Sequence, residues 1–156
     1  MILESILAFF GLIIGLILAK YTKEEFKSGK KYFLLFYKLI LFIIILTLLY
    51  FVQFNWMLVG FLIGMILAYF FRNLYFYLGL AYFGSLNIYI AFLIFLVGLP
   101  YGTILYHQRF KRKILVYFIL FFISSLITLI VIPETLLFSF VAGALFLKFL
   151  KFNSIF

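Results

Sequence analysis

The chain has 156 residues, of which 69% are hydrophobic, 24% aromatic and only 11% charged. A water-soluble domain of this size covers itself with polar and charged groups, so the composition excludes that class and indicates a polytopic membrane protein. The formal net charge is +9 and cysteine is absent, which excludes disulfides and thiolate metal sites. Because the basic residues stand at the ends of apolar runs, we expect them to meet anionic headgroups rather than nucleic acid.

The first apolar run, residues 2–19, predicts a membrane helix that the protein retains. Its 18 residues correspond to roughly 27 Å of helix, enough to span a bilayer. A cleavable signal peptide carries positive charge before its apolar region, whereas here Glu4 comes first and lysines follow. We therefore expect the N-terminus outside. The hydrophilic stretch 20–31 then predicts a cytoplasmic loop, with a docking site for a soluble partner as the alternative.

Residues 32–52 and 56–71 predict a helical hairpin joined by a short polar tip. Lys38 lies one to two turns inside the first of these runs. A charge at mid-membrane is costly, but a lysine near a helix end reaches the headgroups with its long side chain. Headgroup contact is therefore the favoured interpretation of Lys38, and a functional cation within the membrane is the alternative.

Residues 74–106 do not fit a single crossing. One crossing would leave the basic residues that follow it on the outer side, against the positive-inside rule. A break at residues 84–87 returns these bases to the cytoplasm, and it divides the run into elements at 74–83 and 86–106. The bases concerned are Arg109, Lys111, Arg112 and Lys113. Ten residues of helix reach only about 15 Å, so the element at 74–83 either borrows residues at both ends or re-enters the membrane.

Residues 114–132 and 135–150 predict the last hairpin, with Pro133 and Glu134 at its tip. With seven elements, the basic residues lie on the cytoplasmic side of the membrane, or in the case of Lys38 extend towards it, whereas Glu4 and Glu134 lie on the outer side. The sequence thus predicts an all-α polytopic helical bundle of six or seven membrane elements, forming one domain over residues 1–156. We expect a multi-pass protein of the cell membrane with its C-terminus cytoplasmic.

An internal repeat is indicated by the order of charges, tips and glycines. Residues 30–73 and 111–153 share a basic cluster, an apolar run, a polar tip and a glycine-bearing run, with Gly64 matching Gly143. Residues 72–109 follow the same plan. The pattern predicts about three and a half parallel hairpins with a period near forty residues.

Two glycine stripes predict faces where helices approach closely. Small residues recur every four positions within residues 11–19 and again within 60–68, and residues four apart share one helix face. Packing within the chain is the favoured interpretation, and self-association or docking to a partner subunit is the alternative. The residues assigned to this helix-packing or partner interface are Gly11, Gly15, Ala19, Gly60, Gly64, Ala68 and Gly143.

A second candidate site surrounds Pro100. Proline removes a backbone donor, and Gly98 and Gly102 loosen the helix on both sides of it. Broken helices mark binding sites in transporters, so Gly98, Pro100, Gly102 and Thr103 form a possible substrate pathway. A simple proline kink is the more common arrangement.

The residues needed for catalysis are scarce. The chain has one histidine, His107, four glutamates and no aspartate, so a metal site or a catalytic triad lacks its partners. We therefore predict a non-enzymatic membrane protein without cofactor or metal, acting as a structural or accessory subunit of a membrane complex. The alternative is a small transporter or channel for a small or lipophilic solute. The expected partners are anionic headgroups of the bilayer, contacted by Lys38 and the four bases of 109–113, and other membrane subunits or a second copy.

Overall fold

The computed structural model describes residues 2–22, 26–52, 54–107, 113–128 and 133–151. These residues form seven α-helices and no strand. The helices are α1 (Ile2–Tyr21), α2 (Phe26–Tyr50), α3 (Phe54–Phe70), α4 (Leu74–Ser85), α5 (Ile88–His107), α6 (Lys113–Thr128) and α7 (Glu134–Lys151). Within them, Leu3–Tyr21, Gly29–Tyr50 and Ile88–Tyr106 are long and apolar enough to cross a membrane. The apolar parts of α3 and α6 are shorter.

Helix α4 ends because its backbone is capped locally. At its start, the Asn73 side chain accepts a hydrogen bond from the Phe76 amide at 3.3 Å. At its end, Leu86 adopts a left-handed conformation with φ 47°, and its amide donates to the Tyr82 carbonyl at 2.7 Å. Such a conformation costs a non-glycine residue roughly 1–3 kcal/mol. The chain therefore leaves the helix at Leu86 rather than continuing into α5, and α4 is limited to 12 residues, about 18 Å.

The contacts group the chain into two compact units. The first contains α1, α2 as far as Ile40, α5, and the start of α6 as far as Val116. The second contains α2 from Leu41, α3, α4, α6 from Tyr117, and α7. The sequence predicts one domain over residues 1–156, since hydrophobic runs of similar composition do not reveal which helices contact each other.

In the first unit, α1 and α5 lie parallel with their backbones in close approach. A Cβ atom added to Gly11 would overlap the carbonyl of Phe95, and one added to Gly15 would overlap that of Leu99. The glycine four residues later in α1 thus contacts the residue four positions later in α5, so the two helices run in the same direction. Gly102 on α5 is placed in the same way against the Leu12 carbonyl. Only residues without a side chain allow this separation.

In the second unit, α3 and α7 form an equivalent parallel pair. Gly64 on α3 lies against the Phe140 carbonyl, and Gly143 on α7 lies against the Phe61 carbonyl. The two pairs share one register. Gly11, Gly15, Gly98 and Gly102 of the first pair correspond in order to Gly60, Gly64, Ser139 and Gly143 of the second. The same small-residue pattern thus produces the same helix contact in both units.

Helix α4 packs between α6 and α7 in the second unit. Near the start of α4, the Tyr75 ring lies 5.8 Å from the Tyr117 ring of α6, and near its end the Phe83 ring lies 6.2 Å from the Phe122 ring. Residues later in α4 thus contact residues later in α6, so the two helices are parallel. Against α7 the order is reversed: the Tyr77 ring lies 6.2 Å from the Phe140 ring, whereas Gly84, later in α4, lies beside Leu137, which is earlier in α7. Helix α4 is therefore antiparallel to α7 and, through the parallel α3–α7 pair, to α3.

Candidate functional site

The residues assigned to the packing or partner interface lie inside the two units. The glycines of α1 face α5, and those of α3 face α7. Ala19 and Ala68 have exposed fractions of 0% and 1%. The glycine faces are therefore in contact with helices of the same chain.

The stretch around Pro100 is part of the same contact. Helix α5 runs through Pro100, and the Thr103 hydroxyl donates to the Pro100 carbonyl at 2.7 Å. A Cβ atom at Gly98 would lie 2.5 Å from the Leu12 amide nitrogen, so the α1 backbone fills the space beside this glycine. Of the four residues proposed as a substrate pathway, Gly98 and Gly102 therefore lie at the α1–α5 interface, and Thr103 is buried.

The predicted headgroup contacts fall mostly beyond the described structure. Lys38 is half-buried on α2. Arg109, Lys111 and Arg112 lie outside the described residues, and so does the side chain of Lys113, the first residue of α6. The structure therefore adds nothing to the four predictions at 109–113.

Hydroxyl groups along the helices donate to their own backbone. Each donates to the carbonyl of a residue three or four positions earlier, which is the bonding expected of serine and threonine within helices. The hydroxyls concerned are those of Thr22, Thr47, Ser85, Thr103, Ser124, Ser125 and Thr128. Among the described residues, no group of three histidine or acidic side chains could hold a metal ion.

An apolar cavity of about 410 Å³ lies in the second unit. Side chains of α3, α4, α6, α7 and of the turn after α3 line it, and all of them are aliphatic or aromatic. Tyr77 lines one wall, and its hydroxyl donates to the Phe71 carbonyl at 3.1 Å. Leu67 and Phe71 are 46% and 42% exposed, so the cavity is accessible near the end of α3. Its volume falls in the range of roughly 300–1,000 Å³ typical of ligand pockets.

Three cations gather beside this end of the cavity. The Lys148 ammonium donates to the Ala68 carbonyl in the last turn of α3 at 3.1 Å. The Lys151 ammonium lies 3.9 Å from the centre of the Tyr69 ring, within the range of a cation–π interaction. Arg72 is exposed two residues after α3 and close enough to Lys148 to interact with it electrostatically. We call Arg72, Lys148 and Lys151 the basic end of the second unit.

The sequence does not predict the cavity or the contact between Lys148 and α3. The cavity depends on the packing of four helices, for which the sequence offers no signal. Lys148 and Ala68 are separated by 80 residues along the chain. The only related pattern in the sequence is that α3 and α7 both contain glycines and are both followed by, or end in, basic residues.

Three of the described helices are long and apolar enough to cross a membrane, and the helix hydroxyls donate hydrogen bonds to their own backbone. Comparisons of the chain with protein-family models, with curated proteins and with solved structures find no match.

Proposed function

We propose that the chain is a multi-pass integral membrane protein that performs no catalysis and acts as a structural or accessory subunit of a membrane complex. Two observations support this proposal: the hydroxyl groups form hydrogen bonds within their own helices, and α3 exposes an apolar surface. The helix hydroxyls bond their own backbone, while α3 turns Leu58, Leu62 and Ile66 outward with exposed fractions of 71%, 56% and 59%. Such a surface suits contact with lipid or with the apolar face of another membrane helix.

Within the second unit, the packing of α4 supports a topology in which α4 runs opposite to α3, and α7 runs opposite to α6. Because α4 and α6 are parallel, the segment between them must return the chain to the side on which α4 begins. That segment contains α5, which has 20 residues and a length of about 30 Å, enough to cross. We therefore propose seven membrane elements, with α4 as the short one and the reversal at Leu86 and Asn87.

This topology places the bases on one side of the cell membrane, with the N-terminus outside and the C-terminus cytoplasmic. Since the chain has no cysteine, each introduced cysteine reports on one position. We expect Asn55→Cys to react with an impermeant thiol reagent from outside intact cells and Gln108→Cys to react only after permeabilisation. Reaction of both from the same side would overturn the topology.

The subunit proposal is tested by photo-crosslinking in native membranes. A photoreactive amino acid at Leu62, on the outward surface of α3, is expected to form an adduct with one defined protein chain. The same amino acid at Leu78, which is fully buried, serves as the control and should crosslink only within the chain. If the photoreactive amino acid at Leu58, Leu62 and Ile66 crosslinks only to lipid and to no protein, the α3 surface is not a subunit interface and the proposal is refuted for this surface.

Transport of a lipophilic solute is the second candidate, and the cavity of the second unit favours it. The site that we propose for this function is the cavity, because Gly98 and Gly102 of the Pro100 stretch pack against α1. In vesicles containing the protein, Ile127→Phe should reduce the flux of a lipophilic dye, since Ile127 lines the cavity. Leu126→Phe, at an outward position with an exposed fraction of 62%, should leave it unchanged. Equal flux through both variants would discard the cavity as a pathway.

A further inference from the structure

The lining of the cavity in the second unit favours an apolar occupant. Among the lining residues that the structure describes, only Tyr77 carries a polar side-chain group, and its hydroxyl donates to the Phe71 carbonyl at 3.1 Å. A buried water needs about 2–4 polar partners, and an engineered apolar cavity of roughly 150 Å³ stays dry while it admits benzene. The present cavity measures about 410 Å³, so we expect hydrocarbon rather than water to fill it.

The dimensions of the cavity exclude a helix of a partner subunit. The cavity reaches along α3 from the level of Leu67 to that of Gly60, against which the lining residue Leu136 packs. This part of α3 is about 10 Å long. A volume of about 410 Å³ then leaves a mean cross-section of roughly 40 Å², or about 7 Å across, whereas an α-helix with its side chains is about 10–12 Å wide. A single hydrocarbon chain, whose atoms contact their neighbours at about 3.5–4.0 Å, fits this cross-section.

The cavity opens at the depth where the chains of phospholipids begin. Its accessible wall is formed by Leu67 and Phe71, which are 46% and 42% exposed. Arg72 and Asn73 follow Phe71 directly, at the basic end of the second unit. Basic and polar residues at the end of a membrane helix lie at the level of the headgroups, whichever side chains they contact. An acyl chain attached to a headgroup therefore starts at the level of this opening.

We propose that the cavity binds one acyl chain of a phospholipid from the surrounding bilayer. The chain enters beside Phe71, and its hydrocarbon lies among Tyr77, Leu80 and Phe140. Scaled from the cavity that holds benzene, the volume has room for roughly 16 carbon atoms, which is a large part of an ordinary acyl chain. This ligand goes beyond both candidate functions, because a bound lipid chain is neither a subunit contact nor a transported solute.

The proposal predicts that a buried residue of the cavity crosslinks to lipid. The purified full-length protein is reconstituted in vesicles of dioleoyl phosphatidylcholine, with a diazirine amino acid similar in size to leucine at Leu80. This residue lines the cavity and is only 2% exposed. After photolysis, mass spectrometry should detect an adduct with the mass of the phospholipid. Leu78, which is fully buried in the same helix, is the matched control and should form crosslinks only within the chain. Leu62, at 56% exposure, should form a lipid adduct and so verify the photochemistry.

Filling the cavity should remove the lipid adduct at Leu80. Ile127→Phe adds a ring to the lining, so the adduct at Leu80 should be lost while the one at Leu62 remains. Leu126→Phe changes an outward residue with an exposed fraction of 62% and should leave both adducts unchanged. Each variant is measured as monodisperse protein after size-exclusion chromatography. If Ile127→Phe does not fold, Leu136→Phe fills the cavity from α7 instead.

Three results would overturn the proposal. Crosslinks at Leu80 that stay within the chain would show that the protein itself fills the cavity, including segments outside the described residues. An adduct with the mass of another molecule would identify a different occupant. A lipid adduct at Leu80 that persists in the cavity-filling variant would place the acyl chain elsewhere. The subunit proposal is tested at the α3 surface in native membranes, so each of the two proposals can fail without the other.

Discussion

The close approach of α1 and α5 predicts that Gly11→Ala destabilises the protein. The added Cβ would lie 2.8 Å from the Phe95 Cα and would overlap the Phe95 carbonyl oxygen. Carbon atoms prefer separations of about 3.5–4.0 Å. Since the obstacle is backbone, no side-chain rotation relieves the clash and α1 must move away from α5 by roughly 1 Å. A gap of that size removes a quarter to a half of the dispersion energy of each affected contact.

The expected loss can be estimated from two opposing effects. Overpacking costs about 3 kcal/mol at the upper end of its usual range, and alanine recovers about 1 kcal/mol through its higher helix propensity. We therefore expect a net loss of about 2 kcal/mol, or a Tm lower by about 4–8 °C for a chain of this size. Thermal unfolding in detergent, followed by loss of the monodisperse peak in size-exclusion chromatography, measures the change.

Gly29→Ala is the matched control. The nearest atom to its added Cβ is the Phe33 Cε2 at 3.5 Å, an ordinary contact, so only the gain in helix propensity remains. We expect an unchanged or slightly higher Tm. Gly84→Ala should fall between the two, because the obstacle there is the Leu137 Cδ2 at 2.7 Å, a side-chain end that can rotate. A Gly11→Ala variant as stable as Gly29→Ala would refute the close α1–α5 contact.

Three further predictions concern single contacts. Asn73→Ala removes the cap of α4 and should lower the free energy of unfolding by about 1 kcal/mol, whereas Asn73→Asp keeps the acceptor; chemical denaturation of both variants checks this. Gly98→Ser should lower the Tm, while the reverse change at the equivalent position, Ser139→Gly, should be tolerated; a Gly98→Ser variant of normal stability would argue against the shared register. Lys148→Met leaves the Ala68 carbonyl without its donor and should cost about 1 kcal/mol, and recovery by Lys148→Arg would show that the donor matters.

The positions of the helices were the part of the fold most accessible from the sequence. Among the described residues, each helix overlaps one of the predicted apolar runs, since a backbone in hydrocarbon satisfies its hydrogen bonds only within a helix or a closed barrel. The main difference is at α2, which begins at Phe26, within the stretch 20–31 that the sequence predicts as a loop. The charges predict a break before α5, the sequence Gly84–Asn87 gives its position, and in the structure α4 ends at Ser85 with its C-cap at Leu86. The observed cap explains why the chain stops there.

The partners of these helices were less accessible. The glycine stripes indicated which faces pack closely but not against which helix, because every apolar run offers a similar surface. For example, Gly98 and Gly102 face α1, a partner that the sequence around Pro100 does not specify. The sequence also placed Lys148 and Lys151 only as closing bases, without their contacts to the end of α3.

By itself, the sequence determined that the chain is helical and apolar and roughly where most of its helices lie, because backbone hydrogen bonding and side-chain polarity act over a few residues. Only the tertiary structure decided that α1 pairs with α5 and α3 with α7, and that an apolar cavity forms beside Arg72, Lys148 and Lys151. Those outcomes depend on how well side chains far apart in the chain fit together, and shape complementarity of that kind has no local pattern to reveal it.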